Sequence, residues 1–225
     1  MIQAILLDID NTLLDFDAYV QTTMRDGFNK FGIGPYEDGM FDVFSRVNHG
    51  LWRQIEEGTL TFAELTKIRW NRVFEALGIH CDGPMFESYF RACLADSAIP
   101  VEGAFELLDH LKGRYVLGVA SNGPYEQQLN RLKKGRMFDY FSHYFISEKI
   151  GASKPSAQFF SVCLDELGIP AENIMMIGDS LTSDMAGAVA CGMHTCYFDK
   201  HKSGAVTDLP LEHTVESLTD ILAFL

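Results

Sequence analysis

The chain has 225 residues, enough for one large domain or for a core domain with a second domain inserted in it. Hydrophobic residues make up 47% of the chain and charged residues 22%, proportions typical of a globular protein rather than a disordered or fibrous one. The formal net charge of −13 argues against nucleic acid as a partner, because nucleic acid requires clustered lysine and arginine.

The cysteines and the N-terminus indicate the compartment. The five cysteines are odd in number and include no Cys-x-x-Cys pair, so neither a disulfide framework nor a zinc site is indicated. The N-terminus lacks a basic segment, and its apolar run is interrupted at Asp8, unlike a signal peptide. No stretch approaches the roughly 18 apolar residues of a membrane span. We therefore expect a cytoplasmic protein with no membrane partner.

The first predicted element is a buried strand at Ile5-Leu6-Leu7, which ends at Asp8. Residues two apart on an extended segment point to the same side, so Asp8 and Asp10 are brought together. Their like charges repel unless a cation or hydrogen-bond donors offset the repulsion, and the pair therefore favours a hard metal ion such as Mg²⁺. The alternative is a simple turn, because Asp and Asn favour loops after strands.

From residue 15 to about residue 95 the pattern is helical, with no convincing strand. The string Thr61-Phe62-Ala63-Glu64 is a capping box, and Gly78 fits the left-handed residue that ends a helix. The predicted helices are Tyr19–Phe31, Phe41–Glu57, Thr61–Leu77 and Pro84–Leu94. We therefore predict an all-helical module inserted directly after the first strand.

After Pro100, short apolar runs alternate with amphipathic stretches, a pattern typical of repeated strand-helix units and a parallel sheet. Further strands are predicted at Val116–Ala120, Tyr144–Ile146, Ile174–Ile177 and Thr195–Phe198. The predicted fold is α/β, with a three-layer Rossmann-like parallel sheet core formed by residues 1–14 and 96–225 and an inserted helical domain formed by residues 15–95. Ligands of such sheets bind at the carboxyl ends of the strands.

Four polar segments follow predicted strands or begin helices. They are Asp8-Ile9-Asp10-Asn11-Thr12, Ser121-Asn122-Gly123, Lys154-Pro155, and Gly178-Asp179-Ser180-Leu181-Thr182-Ser183-Asp184. Together and in this order they resemble the four motifs of the haloacid dehalogenase superfamily. The resemblance covers essentially the whole chain, and it implies that residues 15–95 are the cap domain of that superfamily.

This resemblance implies a phosphoryl transferase with an aspartyl-phosphate intermediate. Asp8 would be the nucleophile, and Asp10 would protonate the leaving oxygen and then activate water. The Ser121 hydroxyl, the Asn122 backbone amide and the Lys154 ammonium would bind the phosphate, and Lys154 would also be catalytic as a point charge for the aspartyl group. A small phosphate ester is compatible with an acidic chain, since a metal ion and one lysine can make a site locally positive.

The cofactor implied by the resemblance is Mg²⁺. Its expected ligands are the Asp8 carboxylate, the Asp10 backbone carbonyl and the Asp179 carboxylate, because Mg²⁺ takes one or two protein carboxylates and leaves other positions to phosphate and water. Asp184 would be a further ligand through water, or a partner for Lys154.

Each segment taken alone has a plainer interpretation. Ser121-Asn122-Gly123 fits a turn, and Lys154 fits a solvated lysine before Pro155 at the start of a helix. Ser180 and its neighbours fit the cap of a helix that runs to Cys191. It is the joint occurrence of the four segments that favours the enzyme.

Three longer strings of residues resemble one branch of this superfamily in particular. The strings Asp10–Phe16, Ser121–Gly123 and Gly178–Met185 resemble the pyrimidine 5′-nucleotidase branch, whose members dephosphorylate nucleoside monophosphates such as UMP, dUMP and dTMP. Two departures from the superfamily pattern are modest, because Asn11 stands where many relatives have Gly and Ser121 where many have Thr. Neither change removes a functional group that the mechanism requires.

Several alternatives to the nucleotidase stay open. Retention of Asp10 favours a phosphatase or phosphomutase over a halide-displacing enzyme, but a sugar-phosphate phosphatase such as N-acylneuraminate-9-phosphatase has related strings. A regulatory protein on a decayed enzyme scaffold is disfavoured by the intact acidic and lysine positions. In each enzyme hypothesis the partner is a small phosphorylated substrate, and the chain would act as a monomer or homodimer. Residues of the predicted cap that could face the leaving group are Phe16, Asn48, Trp52 and Arg53. Aromatic residues in an amphipathic module more often belong to its core, so these four are not assigned to the site.

Overall fold

The computed structural model describes residues 1–204 and 206–225, which form two compact units. The sheet unit contains Met1–Asp15 and Ala98–Leu225, and the helical unit contains Phe16–Ser97. The chain therefore enters and leaves the helical unit at two points, directly after Asp15 and directly before Ala98.

The helical unit has the helices α1 (Phe16–Phe31), α2 (Met40–Glu56), α3 (Phe62–Leu77) and α4 (Gly83–Asp96). The predicted capping box is confirmed, since the Thr61 hydroxyl accepts from the Glu64 backbone and the Glu64 carboxylate accepts from the Thr61 backbone. Gly78 ends α3 with φ +67°, as expected for a left-handed C-terminal residue. An aromatic core joins the four helices and includes Phe28, Phe44, Trp70, Phe74, Phe86 and Phe90.

A buried ion pair crosses this helical core. The Arg69 guanidinium donates from Nε to Glu87 Oε2 at 3.0 Å and from Nη2 to Oε1 at 2.6 Å, and both side chains are at most 5% exposed. Its Nη1 donates to Asn48 Oδ1 at 3.1 Å. Each of these polar groups has a partner, so the network joins α2, α3 and α4 without leaving an unpaired charge. Asn48 is thus used inside the helical unit.

The strands of the sheet unit are β1 (Ala4–Leu7), β2 (Val116–Ser121), β3 (His143–Ile146), β4 (Ile174–Gly178), β5 (His194–Phe198) and β6 (His213–Val215). Within the described residues they form one six-stranded sheet in the order β3-β2-β1-β4-β5-β6, with every neighbouring pair parallel. The five predicted strands each differ from the observed ones by one residue at one end. The short β6 was not predicted.

Helices cover both faces of this sheet. They are α5 (Ala104–Leu111), α6 (Tyr125–Lys134), α7 (Ser147–Ile150), α8 (Ala157–Leu167) and α9 (Ala186–Cys191), with shorter helical turns at Phe138–Tyr140, Ala171–Asn173, Leu181–Met185 and Leu218–Ala223. Side chains alternate along β1, so Ile5 and Leu7 belong to one core and Ala4 and Leu6 to the other. The first core contains residues of α5 and α6, and the second contains residues of α8 and α9. The predicted three-layer α/β fold is confirmed.

The segment after β1 turns sharply back on itself. The Asn11 backbone donates to the Leu14 carbonyl at 2.7 Å, and Asn11 has φ +63°, in the left-handed region. Asn adopts this conformation more readily than other residues with a side chain, so Asn11 suits the turn. Lys200 Nζ secures the turn by donating to Asn11 Oδ1 at 2.9 Å and to Asp15 Oδ1 at 2.6 Å.

Replacing Asn11 tests the backbone conformation of this turn. Asn11→Ala and Asn11→Gly both lose the hydrogen bond to Lys200, but only Ala is strained at positive φ. We expect the Ala variant to have a free energy of unfolding about 1 kcal/mol below that of the Gly variant. Differential scanning calorimetry of the full chain measures the difference, and equal stabilities would contradict the assignment of strain to Asn11.

Removing Arg69 tests the buried ion pair. Arg69→Met leaves the Glu87 carboxylate buried without its partner, so we expect the free energy of unfolding of the helical unit to fall by about 3 kcal/mol. The double variant Arg69→Met/Glu87→Leu should recover most of this loss, because no charge is then left buried. Both tryptophans, Trp52 and Trp70, lie in the helical unit, so tryptophan fluorescence during urea unfolding reports on that unit.

The matched control for this measurement is Arg72→Met, since Arg72 lies on the same helix but is exposed. We expect it to change stability by a few tenths of a kcal/mol. A loss as large as that of Arg69→Met would attribute the effect to the helix rather than to the buried pair.

Candidate active site

Polar side chains meet at the carboxyl edge of three neighbouring strands. Asp8 directly follows β1, Ser121 ends β2 and Asp179 directly follows β4. Lys154 comes from the segment between α7 and α8 and reaches the same edge. The fold therefore brings the four polar segments of the sequence to one place, because parallel strands end at the same edge of a sheet.

Lys154 is the centre of this site. Its ammonium donates to Asp8 Oδ1, to Asp184 Oδ1 and to the Ala120 carbonyl, each at 2.6 Å, and the residue is 1% exposed. Burial disfavours the ammonium form, but the charges of Asp184 and Asp8 outweigh it and raise the pKa of Lys154. The lysine is therefore a buried cation, and the interpretation of a solvated lysine is wrong.

Asn122 holds the backbone of Lys154 in place. Its side-chain amide donates to the Lys154 carbonyl at 3.0 Å, and its Oδ1 accepts from the Lys154 backbone N–H at 2.9 Å. These two bonds join the end of β2 to a segment 32 residues further along the chain. The Asn122 side chain thus fixes the point from which the lysine reaches the acids.

Asp8 lies in an environment that disfavours its charge. Burial is the main cause that raises the pKa of Asp8 to about 7, and the negative charges of Asp184 and Asp10 add to it. Lys154 opposes this shift through its positive charge and its hydrogen bond. One ammonium faces several carboxylates here, so the site has surplus negative charge that a cation would offset.

Three acids are placed so that they can share a metal ion. Carboxylate oxygens of Asp8, Asp179 and Asp184 all lie within 4.8 Å of one another. Hard oxygen donors of this kind suit Mg²⁺. Gly178 makes room for the arrangement, because a Cβ at this position would collide with the Asp184 carboxylate.

The segment after β4 also caps a helix. The Ser180 hydroxyl accepts from the Ser183 backbone at 3.1 Å, and the Ser180 backbone donates to Asp184 Oδ2 at 3.1 Å. A single π-helical turn, Leu181–Met185, then leads into α9. Asp184 therefore uses one carboxylate oxygen for this turn and the other for Lys154. The segment is a helix cap and a part of the site at the same time.

Asp10 is held by two residues of α6 that the sequence pattern did not predict as part of the site. Arg131 Nη1 donates to Asp10 Oδ1 at 2.6 Å, and Gln128 Nε2 donates to Asp10 Oδ2 at 2.9 Å. Gln128 Nε2 also donates to the Ser121 hydroxyl at 2.9 Å. Gln128 and Arg131 are each 1% exposed, and they lie on the buried face of α6 together with the apolar residue Leu129. Two polar residues three apart on the buried face of an amphipathic helix are the signal that could have revealed them.

No helix among residues 1–204 and 206–225 combines the length and apolar composition that a membrane span requires. All five cysteines lie in this described part of the chain and are free thiols.

A family model described as haloacid dehalogenase-like hydrolase matches residues 2–192. The HAD-hydrolase YfnB of Bacillus subtilis is 30% identical over 97% of this chain and 93% of its own length. A crystal structure of YfnB, described as bound to magnesium, has a TM-score of 0.88 and covers 99% of this chain and 97% of the YfnB chain.

Two further relatives are called pyrimidine 5′-nucleotidases. PynA of Streptococcus pneumoniae is 32% identical over 97% of this chain and 92% of its own length. YjjG of Escherichia coli is 29% identical over 96% of this chain and 95% of its own length. The chain therefore belongs to the haloacid dehalogenase-like hydrolases, as an enzyme of the phosphatase type that resembles the pyrimidine 5′-nucleotidase branch.

Proposed function

We propose that this chain is a Mg²⁺-dependent phosphomonoester hydrolase that acts through an aspartyl-phosphate and prefers pyrimidine nucleoside 5′-monophosphates. The proposal depends chiefly on the buried contact between Asp8 and Lys154, at the sheet edge where Asp10 follows two residues later. The names of PynA and YjjG, at 32% and 29% identity over nearly the whole chain, support the choice of substrate.

The donor set fits Mg²⁺. Carboxylate oxygens of Asp8, Asp179 and Asp184 converge, and the site has more negative charge than Lys154 offsets. Haloacid dehalogenase-like hydrolases generally use this ion. We assign Asp8, the Asp10 backbone carbonyl and Asp179 as its ligands, with Asp184 as further support through water or through Lys154. When bound, Mg²⁺ would reduce the repulsion between the Asp8 carboxylate and a phosphate ester.

Asp8 and Asp10 divide the chemistry between them. In the first step an Asp8 oxygen forms a bond to phosphorus while the bond from phosphorus to the ester oxygen breaks, and protonated Asp10 gives its proton to that oxygen. In the second step water attacks phosphorus, the Asp10 carboxylate accepts its proton, and the bond between Asp8 and phosphorus breaks. Lys154 fixes the nucleophile, because it donates to Asp8 Oδ1 at 2.6 Å.

Three groups are assigned to binding of the transferred phosphoryl oxygens. Lys154 contributes positive charge, the Ser121 hydroxyl contributes a donor at the end of β2, and Asn122 contributes its backbone amide. The side chain of Asn122 is occupied with the Lys154 backbone, so only the amide of its main chain is assigned to phosphate.

We assign residues 15–95 as a cap domain and residues 1–14 and 96–225 as the catalytic core. A cap excludes water during the first transfer and determines which leaving group is accepted. We also propose that the enzyme works in the cytoplasm, as a monomer or homodimer.

The reaction and its metal dependence are tested together by release of inorganic phosphate. We expect purified protein with Mg²⁺ to hydrolyse UMP, dUMP and dTMP faster than AMP and GMP, and to become inactive with excess chelator, with activity restored by added Mg²⁺. Hydrolysis of N-acylneuraminate 9-phosphate or simple sugar phosphates alone would keep the mechanism but reject the nucleotidase. A phosphomutase would move the phosphoryl group to another substrate hydroxyl and release little phosphate.

Asp8→Asn tests the nucleophile. The amide keeps the shape of the carboxylate but cannot form an acyl phosphate, so we expect turnover to fall by at least about 10⁴-fold with a folded chain. Acid quenching of wild-type enzyme during turnover of radiolabelled substrate should trap phosphorylated protein, and the variant should trap none. The matched control is Asp165→Asn, an exposed acid on α8, which should keep wild-type turnover. Near-native turnover by Asp8→Asn would overturn the covalent mechanism.

A further inference from the structure

Both oxygens of the Asp10 carboxylate are held by one helix, α6. Arg131 donates to Oδ1 at 2.6 Å and Gln128 donates to Oδ2 at 2.9 Å, while the Asp10 side chain keeps 30% exposure. A carboxylate bound at both oxygens cannot rotate freely about its last side-chain bond. Asp10 is therefore oriented and still accessible, which is the combination that a proton-transferring group needs.

The two residues of α6 form a network with a defined hydrogen-bond direction. Arg131 Nη1 donates to Gln128 Oε1 at 2.9 Å as well as to Asp10, so the amide oxygen of Gln128 is fixed on the arginine side. The Gln128 Nε2 group is then directed toward Asp10 and Ser121, at 2.9 Å from each acceptor. Its two hydrogens match these two acceptors.

This direction determines the role of the Ser121 hydroxyl. Ser121 Oγ accepts from Gln128, so its own hydrogen is not used in that bond. Ser121 is 1% exposed, and among the described residues its side chain has no other hydrogen bond. The hydroxyl hydrogen is thus left to donate to an incoming phosphoryl oxygen.

We propose that Gln128 and Arg131 are positioning residues for the phosphatase reaction. Together they orient Asp10 for proton transfer to the ester oxygen and from water, and Gln128 also directs the Ser121 hydroxyl toward the phosphoryl group. The proposal rests on the function proposed above, because it assigns these residues to the same site.

The alternative is that both residues only stabilise the fold, and the leaving group distinguishes the two cases. A nucleoside or sugar hydroxyl must be protonated as it leaves, whereas p-nitrophenolate leaves readily without a proton. Poor orientation of Asp10 should therefore slow the first step with an alkyl phosphate far more than with p-nitrophenyl phosphate. A general loss of structure would slow both substrates by the same factor.

The experiment compares Arg131→Met and Gln128→Leu with wild type, using p-nitrophenyl phosphate and the alkyl phosphate that wild type hydrolyses fastest. Quench-flow gives the first-turnover rate. We expect about a 10²-fold decrease for the alkyl phosphate and a several-fold decrease for p-nitrophenyl phosphate. Because Asp10 also activates water in the second step, the variants should show a burst of p-nitrophenol and should accumulate phosphorylated protein.

Further variants distinguish the orientation of Asp10 from the orientation of the Ser121 hydroxyl. Gln128→Leu should raise KM for p-nitrophenyl phosphate several-fold and Arg131→Met should raise it less, because Gln128 contacts Ser121 directly whereas Arg131 acts on Ser121 through the Gln128 amide. Arg131→Lys keeps the positive charge and should recover part of the alkyl phosphate rate. Gln127→Leu, at the adjacent position on α6, is the matched control and should behave as wild type.

Equal decreases for both substrates, or wild-type rates in the variants, would overturn the proposal. Circular dichroism checks the fold, and if Arg131→Met does not fold, Gln128→Leu and Arg131→Lys decide the question. Wild-type protein that hydrolyses no phosphate ester would instead refute the proposed function. The two failures are therefore distinguishable.

Discussion

The active edge of the sheet depends on one buried ammonium, that of Lys154. Transfer of an unpaired ammonium from water into the protein interior costs several kcal/mol, so the lysine is stable there only because Asp8, Asp184 and the Ala120 carbonyl accept from it. Asn122 holds its backbone from the end of β2. The positions of the proposed nucleophile and of the segment after β4 therefore depend on the same cation.

The sequence was sufficient to predict the fold class and the strands that reach this edge. Asp8 and Asp179 follow apolar runs, and parallel strands end at one edge, so a short local pattern predicted a long-range cluster. The four-segment resemblance then supplied Lys154, which alone would have suggested a solvated side chain. The strand β6 was not predicted because it has only three residues, one of them buried, and so short a run shows no hydrophobic periodicity.

Other contacts could not be predicted, because they join residues that lie far apart in the chain and whose neighbouring sequence has no unusual feature. Gln128 and Arg131 lie in a charged amphipathic helix, where polar residues normally face water, and their contacts with Asp10 span 118 and 121 positions. Lys200 reaches Asn11 across 189 positions. Such pairings depend on the packing of α6 and of the segment after β5 against the sheet, which no periodicity encodes.

Two buried clusters of the chain show how charge balance separates a structural network from a reactive one. Arg69 and Glu87 have equal and opposite charges and mutual bidentate hydrogen bonds, so nothing further is needed to neutralise them. Around Lys154, one positive charge meets the carboxylates of Asp8 and Asp184. Burial raises the pKa of Asp8 to about 7, and the charges of Asp184 and Asp10 add to this shift while Lys154 opposes it. Burial makes the charges of this cluster costly, and its own residues leave an excess of negative charge. Binding of a cation is therefore more favourable here than at the Arg69–Glu87 pair.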